Sequence, residues 1–255
     1  MFERQGNERD LEPAETISEA LPHGLDMPAY EAAPARERTA DVARRPANSR
    51  LKRLFDLVLA VPALVITAPL LAITALIIWC ADGGAPVFVQ QRLGRDGKPF
   101  RFYKFRSMRV DAEARLQQRL HEDPQAAREW VDTRKLRHDP RITPFGAFIR
   151  TWSIDELPQL INVVRGDMSL VGPRPIVHAP GSELDDTRLY GADIAFYKMA
   201  RPGLTGLWQV SGRADTAFAQ RVAMDVDYVR RWSAALDIAI IVRTIPVILL
   251  RRGAF

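Results

Sequence analysis

The chain has 255 residues, 47% of them hydrophobic, and a formal net charge of +5, enough for one sizeable domain with appendages. Its single cysteine, Cys80, excludes an internal disulfide, and the four scattered histidines, His23, His121, His138 and His178, form no zinc motif. Acidic residues outnumber basic ones over residues 1–50 and the reverse holds for the rest. A basic body of this kind suits an anionic partner: nucleic acid, lipid headgroups or phosphorylated substrates.

Residues 1–48 are rich in Pro, Ala, Glu and Arg without sustained periodicity, and are expected to form a disordered cytoplasmic tail. The first residues lack an apolar core, so no secretory signal is expected there. From Leu57 to Ala81 no residue is charged, which exceeds the roughly 20 apolar residues a spanning helix needs. Pro62 and Pro69 interrupt the run and favour a kink. Cations flank it on both sides, Arg44, Arg45, Arg50, Lys52 and Arg53 before and Arg92, Arg95, Lys98, Arg101, Lys104 and Arg106 after. The positive-inside rule then puts both ends in the cytoplasm. A re-entrant helix-break-helix over residues 49–82 satisfies both observations; a kinked bitopic helix is the competing reading. Cys80, at the end of this run, reads as a small buried hydrophobe.

Asp96-Gly97 marks a hairpin turn between Val87-Phe-Val-Gln-Gln-Arg-Leu and Phe100-Arg-Phe-Tyr-Lys-Phe, so a basic β-hairpin is expected. Residues 111–136 predict one or two amphipathic helices divided near Pro124, anchored by Leu116, Leu120 and Trp130. A helical stretch is expected around Leu157–Val164, rigid loops at Gly172-Pro-Arg-Pro175 and Arg201-Pro-Gly-Leu-Thr-Gly206, and a helix over Ala214–Trp232 on which Asp225 and Asp227 face different directions. The apolar segment Leu236–Leu250 contains Asp237, Arg243 and Pro246. An interfacial helix fits it, and a buried core helix fits equally. The body, residues 83–255, is therefore expected to be α+β and mostly helical.

Chemistry concentrates between Arg150 and Pro175. Asp155 and Glu156 are adjacent carboxylates at an expected helix start, where the helix dipole favours their ionised form. Such groups attack phosphorus or hold magnesium beside substrate phosphates. Ser153-Ile-Asp-Glu156 also matches a capping box, which needs no function. Arg150 and Arg174 suit bidentate phosphate recognition, Arg174 within a rigid Pro-Arg-Pro frame. Lys104 and Arg106 are further candidates for binding phosphate.

Four runs occur in order: Lys104-Phe-Arg-Ser-Met108, Ser153-Ile-Asp-Glu-Leu-Pro-Gln159, Gly166-Asp-Met-Ser-Leu-Val-Gly-Pro-Arg-Pro175 and Arg201-Pro-Gly-Leu-Thr-Gly-Leu-Trp-Gln-Val-Ser-Gly-Arg213. Together they resemble the bacterial sugar transferases, the monotopic phosphoglycosyl transferases, over about residues 50–253. The similarity is greatest to exopolysaccharide undecaprenyl-phosphate galactose phosphotransferases, and takes in Thr133–Leu136 and Thr244–Pro246. The resemblance implies a small monotopic protein with a re-entrant membrane helix at the cytoplasmic face of the bacterial inner membrane. It implies Mg²⁺ held at Asp155, a UDP-sugar donor, undecaprenyl phosphate as acceptor and release of UMP. Asp155 is the implied nucleophile and Glu156 its assistant. Arg150, Arg174, Lys104, Arg106 and Arg213 are the implied substrate-binding residues. The usual Ser-Pro at the membrane-helix break is Ala68-Pro69 here. The sugar, galactose, glucose or an acetamido sugar, is left open, as is homo-oligomerisation. A non-catalytic membrane adaptor of polysaccharide assembly is disfavoured by the intact cluster of charged groups. A nucleic-acid binder is disfavoured by the apolar run and the lack of a recognition motif.

Overall fold

The computed structural model describes residues 49–133, 136–181, 185–211 and 218–250; the expected tail over 1–48 and Arg213 lie outside them. The first element, α1, runs from Arg50 to Asp82 as one helix with Pro62 and Pro69 inside it. Ser49 caps its start by accepting from the Lys52 N–H, and Gly83, with φ of 68°, closes its end. The expected break is thus not a gap in helical structure. Each proline removes one hydrogen bond and the surrounding turns carry the helix on. The helix is long and apolar enough to cross a membrane, and most of its large side chains face outward, among them Leu54, Val65, Ile66, Ile73, Leu76 and Trp79.

Both ends of α1 are nevertheless tied to the same polar body. Near its start, Arg53 donates to the carbonyls of Val163 and Val164, at 2.5 and 2.7 Å. These are end carbonyls of the helix Gln159–Arg165, where a cation is favoured by the helix dipole. At the far end, Arg106 makes a two-pronged ion pair with Asp82. Cys80 is exposed on this helix. That corrects the expectation of burial: an all-apolar helix reads as core, whereas this one turns most of its surface outward.

A hairpin follows: β1 (Val87–Leu93) pairs antiparallel with β2 (Pro99–Phe105) in the register Val87 to Phe105. Asp96 and Gly97 both take positive φ, 59° and 71°, as Asp-Gly turn chemistry requires. Helices α2 (Ala112–Glu122) and α3 (Pro124–Thr133) divide at Pro124 as expected, and Leu116, Leu120, Ala126 and Trp130 join Leu136 in a satellite cluster. Helix α4 (Pro144–Thr151), capped by Thr143, has no counterpart among the sequence expectations. A 3₁₀ turn over Ile154–Glu156 leads to α5 (Gln159–Arg165).

The second sheet pairs β3 (Ser169–Val171) in parallel with β4 (Gly203–Thr205). The segment after Arg201, expected to be a loop, is therefore partly strand. Three residues with a glycine among them carry no periodic signal, and close approach demands the glycine. A Cβ on Gly203 would lie 2.1 Å from the Gly172 nitrogen. Short helices α6 (Thr187–Tyr190), α7 (Ile194–Lys198) and α8 (Leu207–Ser211) surround this sheet, and α9 (Phe218–Arg231) and α10 (Ala234–Leu249) complete the body. On α9, Asp225 is buried while Asp227 is partly exposed and pairs with Arg231, as expected.

The main core gathers Phe196, Tyr197, Val222, Val226, Tyr228, Val229 and Ile240 around β3. A second cluster joins Ala60 of α1 to Phe100, Phe102, Leu160, Val163 and Met168. A third joins Ile78 of α1 to Phe105 and Ile149. Helix α10 buries Asp237 and Ile240 and exposes Ile238, Val242, Ile245 and Leu249. One face is core and the other is an exposed apolar surface, so the core reading describes only one side of it.

Where α1 meets α10, charges are sealed inside. Lys52 Nζ lies 2.7 Å from Asp237 Oδ2 and 3.4 Å from Asp56 Oδ1 and donates to the Val171 carbonyl. Asp56 accepts from the Ser169 hydroxyl and the Leu170 N–H. Tyr228 and Trp232 donate to Asp237. All three ionic side chains are at most 3% exposed. Ions at this depth are tolerated because every one is paired and hydrogen-bonded.

Candidate active site

Strand alternation puts Phe100, Phe102 and Lys104 on one face of β2. The two phenylalanines pack against Leu160 and Val163 of α5, which directs Lys104 to the turn before that helix. There its Nζ stands 2.7 Å from Asp155 Oδ2 and 3.9 Å from Glu156 Oε1. Asn162, fully buried, fixes the spacing of strand and helix. It donates to the Arg101 carbonyl at 2.6 Å and accepts from the Tyr103 N–H at 3.1 Å.

The turn itself departs from the capping-box expectation. Ser153 takes the left-handed conformation, φ 55° and ψ 20°, and its side chain makes no capping bond. A side chain in that region costs on the order of 1–3 kcal/mol and such residues cluster at functional sites. The consequence here is local. The reversed Ser153 backbone starts a tight turn that tucks Asp155 inward, only 2% exposed, while the Glu156 side chain remains 46% exposed. Pro158 occupies the N-cap of α5, so the dyad precedes the helix.

Arg150, at the end of α4, donates from Nε to the Ser107 hydroxyl at 2.7 Å. Burial is the main influence on its guanidinium and pulls its pKa down, and the charges of Asp155 and Asp139 oppose that pull. Burial likewise dominates at Asp155 and pushes its carboxyl above the ordinary aspartate range. Lys104 and Arg150 act against the shift and Glu156 adds to it. The result is a desolvated carboxylate kept in reach of two cations and beside an exposed carboxylate.

The other expected residues lie elsewhere. Arg106 points away from the dyad to Asp82. Arg174 has its guanidinium on the Trp208 ring, 4.6 Å from the centroid, and Arg221 lies 5.2 Å from the same centroid. The Arg174 N–H donates to Asp225 Oδ2 at 3.3 Å, and Tyr190 donates to the same oxygen at 2.6 Å. Asp225 is 2% exposed, and burial pushes its carboxyl up to about 7. Arg92, which donates to the Pro175 carbonyl, is pulled down to about 10 by burial and by the neighbouring Arg174. Arg174 and Arg221 thus share the Trp208 ring, while Arg92, close enough to feel the Arg174 charge, lies over the Phe102 ring at 5.1 Å. Ser107, Asn162, Trp208, Arg221 and Asp225 were not among the sequence candidates. The one signal for Asp225 was its place on the inner face of a helix, where an ionisable group implies a partner.

Among the described residues no three His, Cys, Asp or Glu side chains converge to cage a metal. Magnesium needs less, since one or two carboxylates with substrate phosphates suffice. Asp155 and Glu156, one buried and one exposed on the same turn, fit that shared arrangement.

A strained turn presenting an Asp-Glu pair to a lysine and an arginine, on a body strapped to an apolar helix, is built for an anionic reactant beside a membrane. The model of the bacterial sugar transferase family matches residues 47–251, and the chain belongs to that family. It is 50% identical over 205 residues to the UDP-galactose-lipid carrier transferase of Erwinia amylovora, covering 80% of this chain and 42% of that protein. It is 43% identical over 211 residues to the exopolysaccharide production protein ExoY of Rhizobium meliloti, covering 83% and 91%. It is 48% identical over 208 residues to the undecaprenyl-phosphate galactose phosphotransferase of Salmonella typhimurium, covering 80% and 42%. The chain therefore spans less than half the length of two of these relatives and nearly all of the third.

Proposed function

We propose that this protein transfers a hexose 1-phosphate, galactose by similarity to relatives named for it, from a UDP-sugar to undecaprenyl phosphate. The reaction begins the assembly of an exopolysaccharide repeat unit. The observation that carries the reading is the buried Asp155 carboxylate in contact with Lys104 on a body tied to both ends of α1. A straight crossing would put those two ends on opposite sides of a bilayer. Ends held by one body fit a re-entrant or surface-lying helix at the cytoplasmic face, with α10 dipped beside it.

In the first step the Asp155 carboxylate attacks the β-phosphorus of the donor. A P–O bond forms to Asp155, the P–O bond to the bridging oxygen breaks, and UMP leaves with that electron pair. In the second step a phosphate oxygen of undecaprenyl phosphate attacks the same phosphorus, and Asp155 departs as the carboxylate. Such transfers depend on charge neutralisation and in-line placement. Lys104 covers Asp155 in this state and is itself 28% exposed. An arriving phosphate competes for its ammonium, which uncovers the nucleophile and neutralises the phosphate together. Arg150 adds a second cation beside the reacting centre, and Arg174 with Arg221 and Trp208 holds the nucleotide end of the donor. Magnesium, held by Asp155 and Glu156 with the donor phosphates, would supply further charge neutralisation.

The test is UMP release by detergent-solubilised protein from UDP-galactose, UDP-glucose and UDP-acetamido sugars, with Mg²⁺, with and without undecaprenyl phosphate, beside Asp155→Asn. UMP that depends on one sugar, on acceptor for turnover and on Asp155 is expected. Folded protein that releases no UMP from any donor would reject the reading.

A further inference from the structure

We propose that the cavity between the end of α1 and the start of α4 seats the phosphate-proximal part of the isoprenoid acceptor. The inference rests on the transfer reaction proposed above and adds a location for its second substrate. The cavity measures about 310 Å³, within the size range of small-molecule sites. Ile78, Ala81, Met108 and Phe145 line it with apolar surface, and Arg106 and Arg109 line it with cations. Asp82 also lines it, but its carboxylate is engaged by both prongs of Arg106. The Arg109 guanidinium has no hydrogen bond or ion pair among the described residues, so the cavity carries a net positive charge.

Three relationships favour a phosphorylated lipid over a soluble anion. The apolar wall continues onto the outward face of α1, where Ile73, Leu76, Ile77 and Trp79 are 41–57% exposed. A hydrocarbon chain can enter there from the bilayer without crossing polar surface. The cations sit at one side of an otherwise apolar hollow, which matches a molecule with one charged end. The cavity wall also packs against the turn that carries the reacting centre. Ile78 and Phe145 of its wall share an apolar cluster with Ile154, the residue before Asp155. Ser107, between Arg106 and Met108, accepts the hydrogen bond of Arg150. A phosphate at Arg106 and Arg109 is thus adjacent to the strand that carries Lys104. The donor, with no long apolar part, has no use for the hollow.

The experiment separates the two half-reactions. Full-length protein in detergent is mixed rapidly with UDP-galactose and Mg²⁺ without acceptor, and the UMP burst is measured; undecaprenyl phosphate is then titrated in steady state. Ala81→Trp fills the cavity from an exposed helix position. Its burst should equal that of the unaltered protein while KM for undecaprenyl phosphate rises about tenfold, the effect of losing a modest contact. Arg109→Ala should raise the same KM several-fold with the burst retained. Unaltered acceptor kinetics in Ala81→Trp would overturn the site. Absence of a burst from the unaltered protein would instead reject the transfer mechanism. A second arm places Met108→Cys in a Cys80→Ser background and follows thiol alkylation. Undecaprenyl phosphate should protect the new thiol, and phosphatidylglycerol at equal concentration should not. Equal protection by both would overturn the isoprenoid assignment in favour of a general lipid groove.

Discussion

The ammonium of Lys104 stands 2.7 Å from Oδ2 of Asp155, inside a turn where that aspartate is almost wholly covered. Two opposing influences meet in this contact. Burial favours the neutral carboxyl, and the lysine favours the carboxylate; burial is the larger. The site therefore sets its nucleophile in a covered place where ionisation comes at some expense of stability, a frequent arrangement in active sites.

Asp155→Asn tests both halves of that statement. Turnover and the UMP burst should disappear, because an amide is not a competent nucleophile at phosphorus. Thermal unfolding at neutral pH should be unchanged or shifted upward, since the variant no longer buries a charge and Lys104 is exposed enough to be solvated. A variant that loses activity and also unfolds early would point to a structural role for Asp155.

The pH profile follows from the same direction of shift. The folded pKa of Asp155 lies above the unfolded value, so the native state retains its proton where the unfolded chain has released it. Stability then declines as pH rises through that interval, and the active ionised form appears only above it. The acid limb of the UMP burst should accordingly fall above the ordinary aspartate range. Lys104→Met removes the charge that holds the pKa down, so the limb should move further toward neutral pH. Burst amplitudes at fixed donor from acid to neutral pH would show it, and an unmoved limb would remove Asp155 as the titrating group.

Asp225 gives a second titration with a separate readout. Its carboxyl, pushed up to about 7 by burial, holds the N–H of Arg174. Between the ordinary value of 3.8 and about 7 the native state binds the extra proton. This group therefore makes stability fall with rising pH by at most about 1.4 kcal/mol per unit. Asp225→Asn keeps an acceptor for Arg174 and should flatten that slope with little change in donor KM. Asp225→Ala loses the acceptor and should raise donor KM. Equal donor kinetics in the two variants would detach Asp225 from the placement of Arg174.

What was legible in the sequence was what neighbours decide. The Asp96-Gly97 hairpin, the helix pair divided at Pro124 and the crowding of charge around Asp155 follow from local spacing and turn chemistry. What was illegible depends on contacts made across the chain. The Ser153 motif has the spacing of a cap, yet its backbone is left-handed and the turn it starts is packed against α4 and β2. Arg106 and Lys104 look alike in sequence, two residues apart, and they part only because one reaches the dyad and the other the end of α1. Lys52 and Arg53 read as flanking charges for topology and turn out to be structural ties. Their partners, Asp237 and the end carbonyls of α5, are far away in the chain.

Those ties yield the last prediction. Lys52 neutralises Asp56 and Asp237 in a space closed to water. Removing it leaves two carboxylates facing each other with a single hydrogen-bond network between them. Breaking a buried pair from one side typically costs about 3–5 kcal/mol, because the partner is stranded. Lys52→Met should therefore unfold at markedly lower temperature in detergent. Lys52→Met combined with Asp237→Asn removes one stranded charge and should recover part of the loss, which makes the two changes non-additive. Since Lys52 and Asp56 both hold β3, and β3 leads directly to Arg174, the single variant should also lose donor affinity at temperatures where it remains folded. Additive losses, or unaltered donor affinity in a destabilised Lys52→Met, would show that the buried network anchors the helix without setting the position of the site.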